Sequence, residues 1–97
     1  METKNKFIIK YTNDFKKDFK KISKQGKDIE KLRYVINELA KGNILDPKYK
    51  NHMLVNNKYY KNCGECHIEP DWLLVYKYSN DCLILLLIAT GSHSELF

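Results

Sequence analysis

Apolar residues along this chain follow two periods, and the change falls near residue 50. Residues 6–12, "KFIIKYT", are β-branched and aromatic and predict a first strand. Asn13 is then placed as an N-cap, with Asp14 in the first helical turn. Phe15, Phe19 and Ile22 follow at i, i+4 and i+7 with lysines between them, the signature of an amphipathic helix that breaks at Gly26. A second helix is expected over about 27–41, with Ile29, Leu32, Ile36, Leu39 and Ala40 on one face. Gly42 and Asn43 end it, and Pro47 prevents a restart. Beyond residue 50 the period is two. Residues 52–55 predict a short strand, 56–62 a polar, aromatic turn, and 63–69 another strand that ends at a Pro70–Asp71 corner. Two more strands, 72–78 and 82–90, are joined by "SND" as a hairpin. The last is apolar on both faces and reads as a central strand under the helices. The order β-α-α-β-β-β-β predicts an α+β fold, an antiparallel-rich sheet with two helices packed on one face.

Composition narrows the class. Ninety-seven residues make a single domain over 1–97, with one modest core. The longest apolar run, eight residues from Cys82, is far shorter than the ~20 a membrane helix needs. The N-terminal stretch has no h-region of adequate length, so a cytoplasmic protein without a membrane partner is expected. Charge is divided unevenly. Lysine and arginine outnumber acids fourteen to seven in residues 1–50 and trail them three to five in 51–97. A basic half suits a polyanion such as RNA or an acidic protein, though lysine-rich helices are also simply soluble.

Three cysteines are an odd number, and reduced thiols are the simplest state. Cys63 and Cys66 have C-x-x-C spacing and precede His67, so zinc comes into view. Four ligands at a familiar spacing are missing, and on a strand the two thiols point to opposite faces. No metal and no cofactor is expected.

The candidate chemistry lies in the second half, which holds all three histidines, His52, His67 and His93. Strand alternation places Glu65, His67 and Glu69 on one face and Cys66 and Ile68 on the core side, so His67 is expected between two carboxylates. Asp71 and Trp72 sit just past the corner. His93 lies in "TGSHSELF", a polar tail carrying Phe97, expected either to fray or to offer a stacking surface. Metal-free RNA cleavage needs a base for the ribose 2′-OH, an acid for the leaving 5′-oxygen, and positive charge at the phosphorane. Histidines suit the first two roles. Solvated surface histidines are also common, so at this level the constellation is suggestive only.

The motifs carry a resemblance. "NHML" (51–54), "ECHIEPDWLLVYK" (65–77) and "ATGSHSELF" (89–97) resemble, in order and content, the YafQ-like branch of the RelE/ParE toxin superfamily. The resemblance spans the chain in element order. It implies a RelE-like fold and the toxin half of a type II toxin–antitoxin pair: a ribosome-dependent, metal-independent endoribonuclease acting in the A site. Carried over by position, His52, His67, Asp71 and His93 would form the acid–base set. Phe97 would contact or orient the message, Glu65 would orient His67, and Trp72 would support Asp71. The implied partners are mRNA, the ribosome, and an acidic, DNA-binding antitoxin from an adjacent gene, docking on the lysine-rich helices. Two departures stand out. Gly64 and Ala89 occupy places where the family usually has arginine, and Lys58, Lys61 or Lys77 are the candidate replacements. A rival reading is therefore a weakened or inactive paralogue that binds antitoxin without cleaving.

Overall fold

A computed structural model describes residues 5–97; the first four residues of the expected 1–97 domain, and the start of the stretch read as leaderless, lie outside the described residues. The elements are β1 (Ile8–Tyr11), α1 (Asn13–Lys24), α2 (Ile29–Lys41), a 3-10 turn (Pro47–Tyr49), β2 (His52–Met53), β3 (Gly64–Glu69), β4 (Trp72–Ser79), β5 (Ile84–Gly91) and α3 (His93–Leu96). The α+β class and the strand–helix order are those expected. The 3-10 turn and α3 are additions.

Local chemistry explains the boundaries. Thr12, rather than Asn13, caps α1: its Oγ1 accepts the Phe15 amide at 3.0 Å. The same hydroxyl donates to the Ile88 carbonyl at 2.8 Å, so one threonine both caps the helix and ties it to β5. Asp28 caps α2 by accepting the Glu30 amide, so this helix starts at Ile29 instead of Lys27. Gly42 closes it in the left-handed region at φ 79°.

Five strands form one sheet in the order β1-β5-β4-β3-β2. β1 runs parallel to β5, and the other pairs are antiparallel. The two long helices cover one face. Phe15 and Ile22 from α1, and Leu32, Val35, Leu39 and Ala40 from α2, pack with Cys66, Trp72, Leu74, Tyr76, Leu85 and Leu87 of the sheet. Phe19 stays at the rim, and Val35 supplies core that the i, i+3, i+4 reading of α2 leaves out. β5 is an interior strand as expected, but it starts at Ile84: Cys82 and Leu83 belong to the turn, with Leu83 at φ 53°. The opposite face carries a smaller cluster, Cys63, Val75 and Ala89, packed by Leu54, Tyr60, Ile88 and Leu96. Cys63 and Cys66 thus lie buried in different clusters on opposite faces and cannot converge on one ion. The open face is where the histidines stand.

Candidate active site

β2 and β3 position the first part of the site through backbone register. His52 pairs with Glu65, and Glu65 and His67 share the open face two residues apart. Glu65 is 5% exposed, and its Oε1 lies 3.6 Å from Nε2 of both His52 and His67. The remaining ring nitrogens face backbone carbonyls: His52 Nδ1 lies 2.7 Å from the Lys50 oxygen, and His67 Nδ1 lies 3.2 Å from the Pro70 oxygen. A carbonyl only accepts, so each Nδ1 carries a hydrogen and donates. Nε2 is then the nitrogen that takes or gives a proton in both rings.

Glu69 is not the second carboxylate beside His67. The β3–β4 register shifts between His67 and Glu69, and this bulge interrupts the alternation that would have returned Glu69 to the open face. Glu69 instead accepts from Lys31 Nζ of α2 at 2.9 Å.

The hairpin corner and α3 supply the rest. Asp71 Oδ1 accepts from the His93 backbone amide at 3.0 Å and sits 3.2 Å from His93 Nδ1. These contacts hold the Asp71 carboxyl below the usual carboxylate range, the backbone amide being the largest cause. They also assign the His93 tautomer, with Nδ1–H on Asp71 and Nε2 available to substrate. The His67 and His93 rings lie 5.6 Å apart, centroid to centroid.

His93 is held by a short helix, not a frayed tail. Ser92 and Glu95 form a capping box: Ser92 Oγ accepts the Glu95 amide, and Glu95 Oε1 accepts the Ser92 amide at 2.9 Å. Glu95 also pairs with Lys21 of α1. The Lys21 ammonium and the Ser92 donors pull the Glu95 carboxyl down to about 2. Phe97 follows, half-exposed, its ring 6.3 Å from His93 and edge-on to Tyr60 at 5.6 Å. Trp72 is fully buried and offers no face to a base. Its Nε1 donates to Thr90 Oγ1 at 3.0 Å, and that hydroxyl donates to the Leu73 carbonyl.

His52, Glu65, His67, Asp71 and His93 therefore meet on one surface, with Phe97 at its border. The three candidate replacement lysines take no part in the contacts that build it. Lys58 and Lys61 line a separate shallow depression with Asn56 and Asn57, and Lys77 stands exposed on β4 opposite Leu86. Gly64 cannot carry an arginine toward the histidines: a Cβ there would lie 2.5 Å from the Tyr76 ring, which belongs to the helix-side core. Tyr60 and Thr90 escape a sequence reading of the site. Tyr60 sits in a loop with no period, and Thr90 resembles any other strand threonine.

Glu65, His67 and His93 each offer a donor atom, all within 4.8 Å of one another. Two imidazoles and a carboxylate suit borderline ions such as zinc or copper. These three residues would hold such an ion, which would supply Lewis-acid chemistry when bound.

Comparison with known proteins places the fold and the family. An mRNA interferase toxin YafQ from Escherichia coli is 37% identical over 90 residues, covering 92% of this chain and 94% of the relative. A metal-bound toxin from Helicobacter pylori superposes with a TM-score of 0.87 at 42% identity, covering 94% of this chain and 99% of that one. YafQ in the E. coli DinJ–YafQ complex superposes with a TM-score of 0.84 at 36% identity, covering 94% and 98%. The family described as bacterial toxin of type II toxin-antitoxin system, YafQ, matches residues 7–97. With nearly its whole length aligned and its histidine surface assembled on the shared fold, the chain belongs to the YafQ family of type II toxins.

Proposed function

We propose that this chain is an mRNA interferase that cuts ribosome-bound message in the A site through the ribose 2′-OH, without a metal, in the cytoplasm. The observation that carries the reading is the pair His93 and His67, whose rings lie 5.6 Å apart, each with Nδ1 held by a protein oxygen and Nε2 left for proton transfer. His93 Nε2, freed by the Asp71 contact to Nδ1, takes the 2′-OH proton as general base. The 2′-oxygen attacks phosphorus, forming a cyclic phosphate as the 5′-oxygen leaves. His67 gives its Nε2 proton to that oxygen as general acid, with Glu65 facing the imidazolium before transfer. His52 faces the same Glu65 oxygen and adds a second cation at the phosphorane when protonated. Phe97 borders the site as a stacking surface.

The natural partner in this reading is an acidic, DNA-binding antitoxin, encoded next door and docking on the lysines of α1 and α2. The test is cleavage of message on programmed ribosomes by wild type and His93→Ala, with 5′-end mapping. Cuts in the A-site codon that vanish in the variant support the enzyme. A folded wild type that leaves the message intact overturns it.

One observation favours a second reading. Gly64 faces the Tyr76 ring and Ala89 is buried in the smaller cluster, so neither place supplies charge to the phosphate. A non-cleaving, antitoxin-binding paralogue captures antitoxin normally and shows no cuts in the same assay.

A further inference from the structure

Between α2 and the 3-10 turn lies a groove of about 760 Å³ that opens onto the histidine surface, with His67 as part of its wall. Tyr34 of α2 lines it and is 55% exposed. The opposite bank is Lys48, Tyr49 and Lys50, and the backbone of that bank runs directly into His52. The acidic residues of the groove are already engaged. Asp28 caps α2, Glu30 pairs with Arg33, and Glu69 pairs with Lys31. Among the described residues, neither Lys48 nor Lys50 forms an ion pair with a carboxylate. Lys48 instead lies 5.1 Å over the Tyr49 ring.

An exposed aromatic face opposite two uncompensated cations, joined without a break to an acid–base cluster, matches the chemistry of one nucleotide. We propose that this groove binds the nucleotide next to the scissile phosphodiester, its base on Tyr34 and its own phosphate on Lys48 and Lys50. The proposal rests on the nuclease reading and deepens it, assigning substrate contacts to residues outside the histidine cluster. A base against an aromatic ring contributes sequence-tolerant affinity, while lysines hold the phosphate as point charges. The groove would set the register of the message, bringing the next phosphodiester between His67 and His93.

The test is a double cycle on programmed ribosomes under single-turnover conditions. Messages carry an abasic residue on one or the other side of the cut, and the proteins are wild type, Tyr34→Ala, Tyr34→Phe and Lys48→Ala/Lys50→Ala. Losing one base–aromatic stack corresponds to a fall of roughly 5- to 150-fold. The proposal expects that fall, as a higher half-saturating toxin concentration, for Tyr34→Ala on intact message and for wild type on one of the two abasic messages. Combining the two changes should cost little more than either alone, and Tyr34→Phe should behave as wild type. Multiplicative losses, or full affinity in Tyr34→Ala, overturn it while leaving the nuclease intact. An uncut message with wild-type protein overturns the nuclease reading, and this inference with it. Weakened capture of antitoxin by Tyr34→Ala, with unchanged cleavage, makes the groove a protein-binding face and also overturns it.

Discussion

His93 owes its tautomer to a single atom, Asp71 Oδ1, which accepts from both the backbone and the ring of that residue. Asp71→Asn keeps the shape but can present an amide N–H where a hydrogen-bond acceptor is needed. Cleavage should fall by about 10²- to 10⁴-fold, the range of a displaced general base, and quench-flow on programmed ribosomes would measure it. Thr90 makes a different contribution, to stability. Thr90→Val leaves the fully buried Trp72 N–H without its acceptor, which costs about 1–3 kcal/mol. Urea unfolding should show that loss, and Thr90→Ser, which keeps the hydroxyl, should recover most of it. At this scale the sequence says much. Period two is enough to put Glu65 and His67 on one face and Cys66 and Ile68 in the core. It fails at Glu69, because a bulge is a property of two strands in register and neither strand shows it alone.

Among the elements, α3 has the greatest leverage for its size. Four residues are too few for any hydrophobic period, so the segment reads as a tail, yet Ser92 and Glu95 are spaced as a capping box. That signal was present in the letters; the anchor on Lys21, seventy-odd residues away, was not. The Lys21–Glu95 pair is exposed and solvent-screened, so it adds little to global stability. Lys21→Ala should therefore leave the melting temperature nearly unchanged while lowering cleavage several-fold, as His93 loses its fixed seat. Acid provides an independent check. Glu95 titrates lower in the folded chain, about 2, than its ordinary 4.5, so its contribution is complete above the ordinary value and fades as pH falls toward about 2. Asp71 is shifted in the same direction. The NMR carboxyl-carbon signal of Glu95 should hold its ionised position at neutral and mildly acid pH, and move only as pH drops below about 4. Elsewhere the long helices were legible from their stripes, and their starts were not. A cap such as Thr12 is chosen by a tertiary contact, here the Ile88 carbonyl.

For the molecule as a whole, the arginine question becomes one of geometry. Restoring arginine at Gly64 would drive Cβ into Tyr76, whose hydroxyl donates to Asn51 beside His52. Gly64→Arg should lose about 1–3 kcal/mol in urea unfolding without raising cleavage. Ala89 lies buried on the open side among Cys63 and Val75, so a charge added there would first have to displace that cluster. Metal gives a second whole-site test. An ion seated on Glu65, His67 and His93 would engage the same imidazoles to which the proposed mechanism gives proton transfer. Zinc or copper should slow cleavage, and a chelator selective for transition metals, which spares ribosomal magnesium, should restore it.

The parallel pairing of β1 with β5 also bears on the time course of biosynthesis. A nascent chain that has exposed β1, both long helices and the β3–β4 hairpin still lacks the strand that lies between β1 and β4. Until Ile84–Gly91 leaves the exit tunnel, Thr12 has no carbonyl to bind, Trp72 has no hydroxyl acceptor, and His93 has no seat beside Asp71. A partly translated copy therefore lacks the assembled histidine surface, and on the proposed function it would not cleave message before β5 emerges.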